Sequence, residues 1–166
     1  MSGAELSRQL RLGKSDALGR RRQISVLTLI SIGSMAIVSL YQLGIIKHLP
    51  EPPLPKMDAD KIDAAAEAYE ILWMPDAVLG LGSYAVTLGL AAMGPDNRAR
   101  TRPWIPLALA AKTLVDSLAA GKLTVDQWTK HKAFCFWCLL AAATSIATLP
   151  LSVPEAREAW GRFRNT

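Results

Sequence analysis

The chain has 166 residues, a formal charge of +5 and 51% hydrophobic side chains, the size of a single domain. Its apolar residues fall in long runs rather than periodic stripes, which excludes an ordinary water-soluble globule and points to a membrane protein. The basic excess is distributed as a topology signal and not as a patch, so nucleic acid is excluded as a partner.

Residues 1–22 are polar and basic, with Leu6, Leu10 and Leu12 too sparse for a packed face. They read as a cytoplasmic arm, mobile or lying on anionic lipid. Residues 24–46, "ISVLTLISIGSMAIVSLYQLGII", form an uncharged stretch long enough to cross a hydrocarbon core of about 30 Å as a helix. "KHLPEPPLP" follows in place of a small-residue cleavage site, so an uncleaved anchor is expected. Residues 47–75 form a long loop that opens on a stiff proline run. Within it, Ile62, Ala65, Ala66, Tyr69, Leu72 and Trp73 recur at helical spacing, with Asp63, Glu67 and Glu70 on the other faces. That pattern predicts an amphipathic helix, with a lid over the mouth of the bundle and a plain surface helix as its two readings.

Three further spans are predicted at 77–94, 104–120 and 136–153. Gly80, Gly82 and Gly89 suit the second to a central position, because small residues let helices approach closely in lipid. The third carries Lys112 and Asp116 four residues apart, costly in lipid unless paired and turned inward, where the pair serves either as an ion pair or as a ligand contact. Pro150 and Pro154 are placed to bend or end the fourth.

The fold class expected is therefore all-α: a four-helix transmembrane bundle over 23–154 with an outer-loop amphipathic helix, and a cytoplasmic tail at 155–166. Six basic residues precede the first span, three lie between the second and third, and three follow the fourth. The opposite side carries six lysines, so both termini are expected in the cytoplasm.

The two cysteines, Cys135 and Cys138 in "FCFWC", then fall on the first turn of the last span, at the outer surface. Three residues apart on a helix, they can close a disulfide. A helix N-terminus with Lys130, His131 and Lys132 nearby is expected to lower the pKa of at least one thiol. A c-type haem site is excluded because Leu139, not histidine, follows the second cysteine. A Cys2His2 metal site with His48 and His131 and a purely structural disulfide are the competing readings; redox exchange leads, and no metal is expected.

The order of features is similar to that of the vitamin K epoxide reductase family: an arginine cluster, a first span, a long loop, "YEILWMPDAVLGLGSYAVTLGL", a third span, and "FCFWC" opening a fourth. The element formed by Pro75, Leu79, Gly80 and Tyr84 resembles the segment that leads into the family's second helix. The resemblance implies a membrane thiol-disulfide oxidoreductase in the bacterial inner membrane, with the cysteines at the periplasmic face and a quinone of ubiquinone or menaquinone type as cofactor. It implies that Cys138 faces the quinone and Cys135 exchanges with a periplasmic thioredoxin-like protein or other thiol donor. Tyr84, Gly80, Phe136, Trp137, Asp116 and Lys112 are the candidate quinone contacts. The chain lacks the family's cysteine pair in the outer loop, so no internal relay is expected. The alternative is a non-catalytic quinone- or lipid-binding subunit of a larger membrane complex.

Overall fold

The computed structural model describes residues 2–164, except for the side chain of Phe163. Seven α-helices occur among them: α1 (Gly3–Leu12), α2 (Asp16–Gln42), α3 (Ala59–Asp63), α4 (Asp76–Ala92), α5 (Arg98–Thr101), α6 (Trp104–Asp126) and α7 (Phe136–Arg164). No strand occurs among the described residues. Helices α2, α4, α6 and α7 form the body, with α7 packed on both α2 and α6, and α4 packed chiefly on α2.

Two of these helices are long and apolar enough to cross a membrane, α2 over its whole length and α7 over Phe136–Arg162. Helix α4 is apolar but has only 17 residues, about 26 Å of helix. Helix α6 is long enough but carries Lys112, Asp116, Lys122 and Asp126. The charges are placed as the sequence requires. Lys112 Nζ reaches both Asp116 oxygens at 2.5 and 2.6 Å and Ser83 Oγ of α4 at 2.8 Å, and Asp116 also accepts from Thr87 at 2.9 Å. The pair is turned toward α4 and away from the outer surface of the bundle.

Small hydroxyls join the other helices. Ser31 on α2 meets Thr144 on α7 at 2.7 Å, and Thr113 on α6 meets Ser152 on α7 at 2.9 Å. Each replaces an unsatisfied hydroxyl in an apolar layer with a helix-to-helix bond. Gly80 has the role expected of it, since a Cβ there would lie 3.2 Å from Met35 Cγ and Sδ on α2. A larger residue would push α2 and α4 apart.

Two buried arginines close one end of the bundle. Arg21 donates to the carbonyls of Ala91 and Ala92, which α4 leaves open at its C-terminus, and to those of Met93, Gly94 and Pro95 just beyond it. Arg98, fully buried, donates to Leu90 and Met93 at 2.6 Å and forms a two-pronged pair with Glu155 of α7 at 2.7 and 2.8 Å. The expected arginine cluster is thus partly a helix cap.

Several local expectations change. The N-terminal arm is a capped helix, α1, docked through Arg22 to the carbonyls of Leu10 and Gly13 and through Gln9 to Asp96. Helix α7 runs through Pro150 and Pro154 instead of ending there. The single amphipathic loop helix is broken into α3 and two 3-10 turns, Ala66–Tyr69 and Ile71–Trp73. Ala65 is extended at the break, and Leu72 and Trp73 adopt positive φ, which turns them outward to 75% and 96% exposure instead of onto an apolar face.

Glu155→Ala leaves the Arg98 guanidinium buried without its partner, and a loss of about 3 kcal/mol of stability is expected. Breaking the exposed Arg100–Glu158 pair with Glu158→Ala is expected to cost under about 1 kcal/mol. Denaturation of both variants in the same detergent checks the difference.

Candidate functional site

The thiols sit where α6 gives way to α7. Helix α6 loosens into a π-helical turn, Gln127–His131, and Lys132 takes a left-handed conformation that reverses the chain. Cys135 immediately precedes α7. Its N–H donates to Gln127 Oε1 at 3.1 Å, and its sulfur accepts from the N–H of Cys138 at 3.2 Å. The first sulfur therefore occupies the position of a helix-capping acceptor, which directs an orphan N–H at it. Both cysteines are free thiols; Cys135 is fully buried and Cys138 is half-buried.

The outer loop covers this turn. Phe134 N donates to Lys56 O at 2.8 Å and Asp58 N donates to Phe134 O at 3.0 Å, so the loop and the segment before α7 are bridged at Met57 and Phe134. Trp137 Nε1 donates to Pro50 O at 2.7 Å, and Lys61 Nζ to His131 O at 2.9 Å. Trp128 stacks on Phe134 with centroids 5.7 Å apart, and Lys56 and Lys132 lie over the Trp128 ring.

Helix α3, carried by the same loop, delivers an acid to the thiols. Asp63 is buried, and its Oδ1 lies 3.4 Å from Cys138 Sγ as acceptor. Its Oδ2 is buried with no hydrogen-bond partner. Burial pushes the Asp63 carboxyl up to about 6; the neighbouring Cys135 and Cys138 thiols, of which Cys138 donates to it, oppose the rise, and the nearby charges of Asp76 and Glu51 add to it. Gln42 fixes the position. Its Nε2 donates to the Asp63 carbonyl at 3.3 Å and to Asp76 Oδ1 at 2.7 Å, while its Oε1 accepts from Ala77 N at 3.2 Å.

Sequence reasoning put Asp63 on a polar outer face and missed it. The only available signal was its place between Ile62 and Ala64, which does not separate a core acid from a surface one. The expected cations are not at the thiols. Lys130 is 3.5 Å from Asp126 and Lys132 faces Trp128, so the ionisable group touching Cys138 is acidic.

A cavity of about 410 Å³ opens beside Cys138, within the range of small-molecule pockets. Gly80, Ser83, Tyr84 and Asp116 line its inner part, and Asp63 lines it near the thiols. Its wall is mainly apolar, with Met35, Val38 and Leu79 contributing, so a flat ring with a few polar oxygens fits its chemistry. Tyr84 Oη and Ser145 Oγ lie 2.9 Å apart at that wall.

Of the expected quinone contacts, Tyr84, Gly80 and Asp116 thus share one cavity with Cys138. Lys112 stands behind Asp116 and does not line it. Phe136 and Trp137 also stand outside. They pack edge to face, and the Trp137 indole is drawn to the loop carbonyl of Pro50.

The Cys2His2 arrangement does not form, because His48 is 84% exposed and pairs with Asp60 at 2.7 Å. Asp63, Cys135 and Cys138 bring their donor atoms within 4.8 Å of one another. The arrangement is a free dithiol with a carboxyl neighbour.

Residues 22–153 match the model of the vitamin K epoxide reductase family. No curated protein and no solved structure matches the chain. The match spans α2 to most of α7, and so takes in both thiols, the loop over them and the cavity beside them. The chain belongs to the vitamin K epoxide reductase family, whose members are membrane-integral thiol oxidoreductases that interact with quinones.

Proposed function

We propose that this protein couples the Cys135–Cys138 pair to reduction of a quinone held in the cavity beside Cys138. The observation that carries the reading is that Cys138 opens on the same largely apolar cavity as Tyr84, Gly80 and Asp116, with Cys135 directly behind it. A quinone supplies an acceptor for two electrons and two protons. The chain supplies the dithiol, a water-poor wall around it, and hydroxyl and carboxyl groups at the inner end of the cavity.

In the oxidative direction, thiols of a periplasmic thioredoxin-like partner reduce the Cys135–Cys138 disulfide by exchange, through a mixed disulfide on Cys135. The two thiols then re-form their bond as an electron pair leaves through Cys138. Cys135 is buried in a cluster with the loop residues Leu49, Ala59 and Ile62, so exchange requires this cover to lift. With no loop cysteines to relay electrons, the lifting of the cover is the step that admits the partner.

The topology proposed with this function has four crossing helices, α2, α4, α6 and α7, in the inner membrane. Both termini lie in the cytoplasm and the thiols lie at the periplasmic face. The short α4 and the charged α6 are accommodated because their polar groups face one another inside the bundle.

Cys138→Ser is expected to abolish quinone reduction by a reduced thioredoxin-like donor; full turnover in the variant refutes the assignment. The same variant is expected to accumulate a mixed disulfide through Cys135, and identifying the attached protein names the partner. In single-cysteine variants, a maleimide is expected to modify Cys138 at least about tenfold faster than Cys135, because only the latter needs opening of the loop. Equal rates contradict the cover.

A further inference from the structure

Asp63 is the one outer-loop carboxyl that reaches the sulfurs, and it does so at a cost. It is buried, one oxygen has no partner, and the charged groups acting on it, Asp76 on α4 and Glu51 in the loop, are themselves acidic. The hydroxyls of Tyr41 on α2 and Tyr69 on the neighbouring 3-10 turn donate to the carbonyls of Asp60 and Gln42, while Lys130 and His131 contribute to the cavity wall, with Lys130 directed to Asp126. What favours the ionised form of Asp63 is the hydrogen bond from the Cys138 thiol at 3.4 Å, with the Cys135 sulfur within 4.8 Å. That donor exists only while the sulfurs are reduced.

We propose that Asp63 is the redox-linked proton carrier of this site: its carboxylate binds one proton each time Cys135 and Cys138 form their disulfide, and releases it when the thiols return. This rests on the redox reading above.

The balance is as follows. Dithiol, quinone, ionised Asp63 and one proton from the outer water give disulfide, quinol and protonated Asp63. The two thiol hydrogens and the electron pair are accounted for in the quinol, and the added proton in the carboxyl group. When a partner dithiol reduces the disulfide, Asp63 gives its proton back. The physical cause is loss of the Cys138 S–H donor on oxidation, which leaves a bare carboxylate in a pocket that already disfavours it. With the thiols present the group titrates at about 6, and without them its pKa rises further.

The test is the equilibrium potential of the cysteine pair, measured in detergent against thiol-disulfide buffers across the range around pH 6, with no quinone present. In the wild type, Asp63 is protonated in both redox states below about pH 6, and reduction takes up two protons. Above that pH only the oxidised form keeps its carboxyl proton, so net uptake falls to one and the slope of potential against pH drops to about half. Asp63→Asn is expected to restore the full slope throughout, and Asp63→Glu to move the break to another pH.

The oxidised-minus-reduced infrared spectrum of the wild type at neutral pH is expected to gain a protonated-carboxyl band, a reading that stands even where the asparagine variant does not fold. An unbroken two-proton slope with no such band overturns the proposal, as does a half slope that persists in Asp63→Asn. Because these readings use no quinone, their failure is separate from a failure to reduce quinone, which would instead sink the proposed function.

Discussion

The constraint on which the rest of this structure depends is the need to satisfy both polar ends of a short apolar helix, α4, inside the bundle. Helix α2 does this at each end. Gln42 holds the first turn of α4 through Asp76 and the N–H of Ala77, and Arg21 gathers the carbonyls left open at the other end. An unpaired backbone group in such surroundings is expensive, so these contacts set the relative height of the two helices. Gly80 and Met35 then set their separation.

The same amide joins the scaffold to the chemistry. Gln42 also holds the carbonyl of Asp63, so the residue that fixes the start of α4 fixes the carboxyl that meets Cys138. The loop is tied down again at Pro50, Lys56 and Asp58, all to residues that flank the thiols. Helix placement, loop closure and the surroundings of the sulfurs are consequently one coupled arrangement. Disturbing the loop both uncovers Cys135 and withdraws Asp63.

The loop is also where the chain departs most from what its family resemblance implies. The family it resembles carries a loop cysteine pair that this chain lacks, and the group brought to the sulfurs is instead a carboxyl. A carboxyl cannot pass electrons, but it can hold a proton, and a dithiol reaction moves both. Its burial is tolerable because the Cys138 thiol donates to it in the reduced state.

Much of this was legible in the residues themselves. Long apolar runs bring helices together whatever their partners, so the helical class, the position of the CxxC pair at the start of the last helix, and the inward pairing of Lys112 with Asp116 follow from composition and spacing alone. Gly80 could be placed because small residues let helices approach closely, whereas Tyr84 is named through the family resemblance. What only the tertiary structure decided was the loop. Its helical spacing gave Asp63 a solvent face and Leu72 and Trp73 a buried one, and the fold reversed both. Helical periodicity ranks faces by hydrophobicity, whereas the side a loop turns inward depends on which distant groups can satisfy its polar atoms, here Gln42 and the Cys138 thiol.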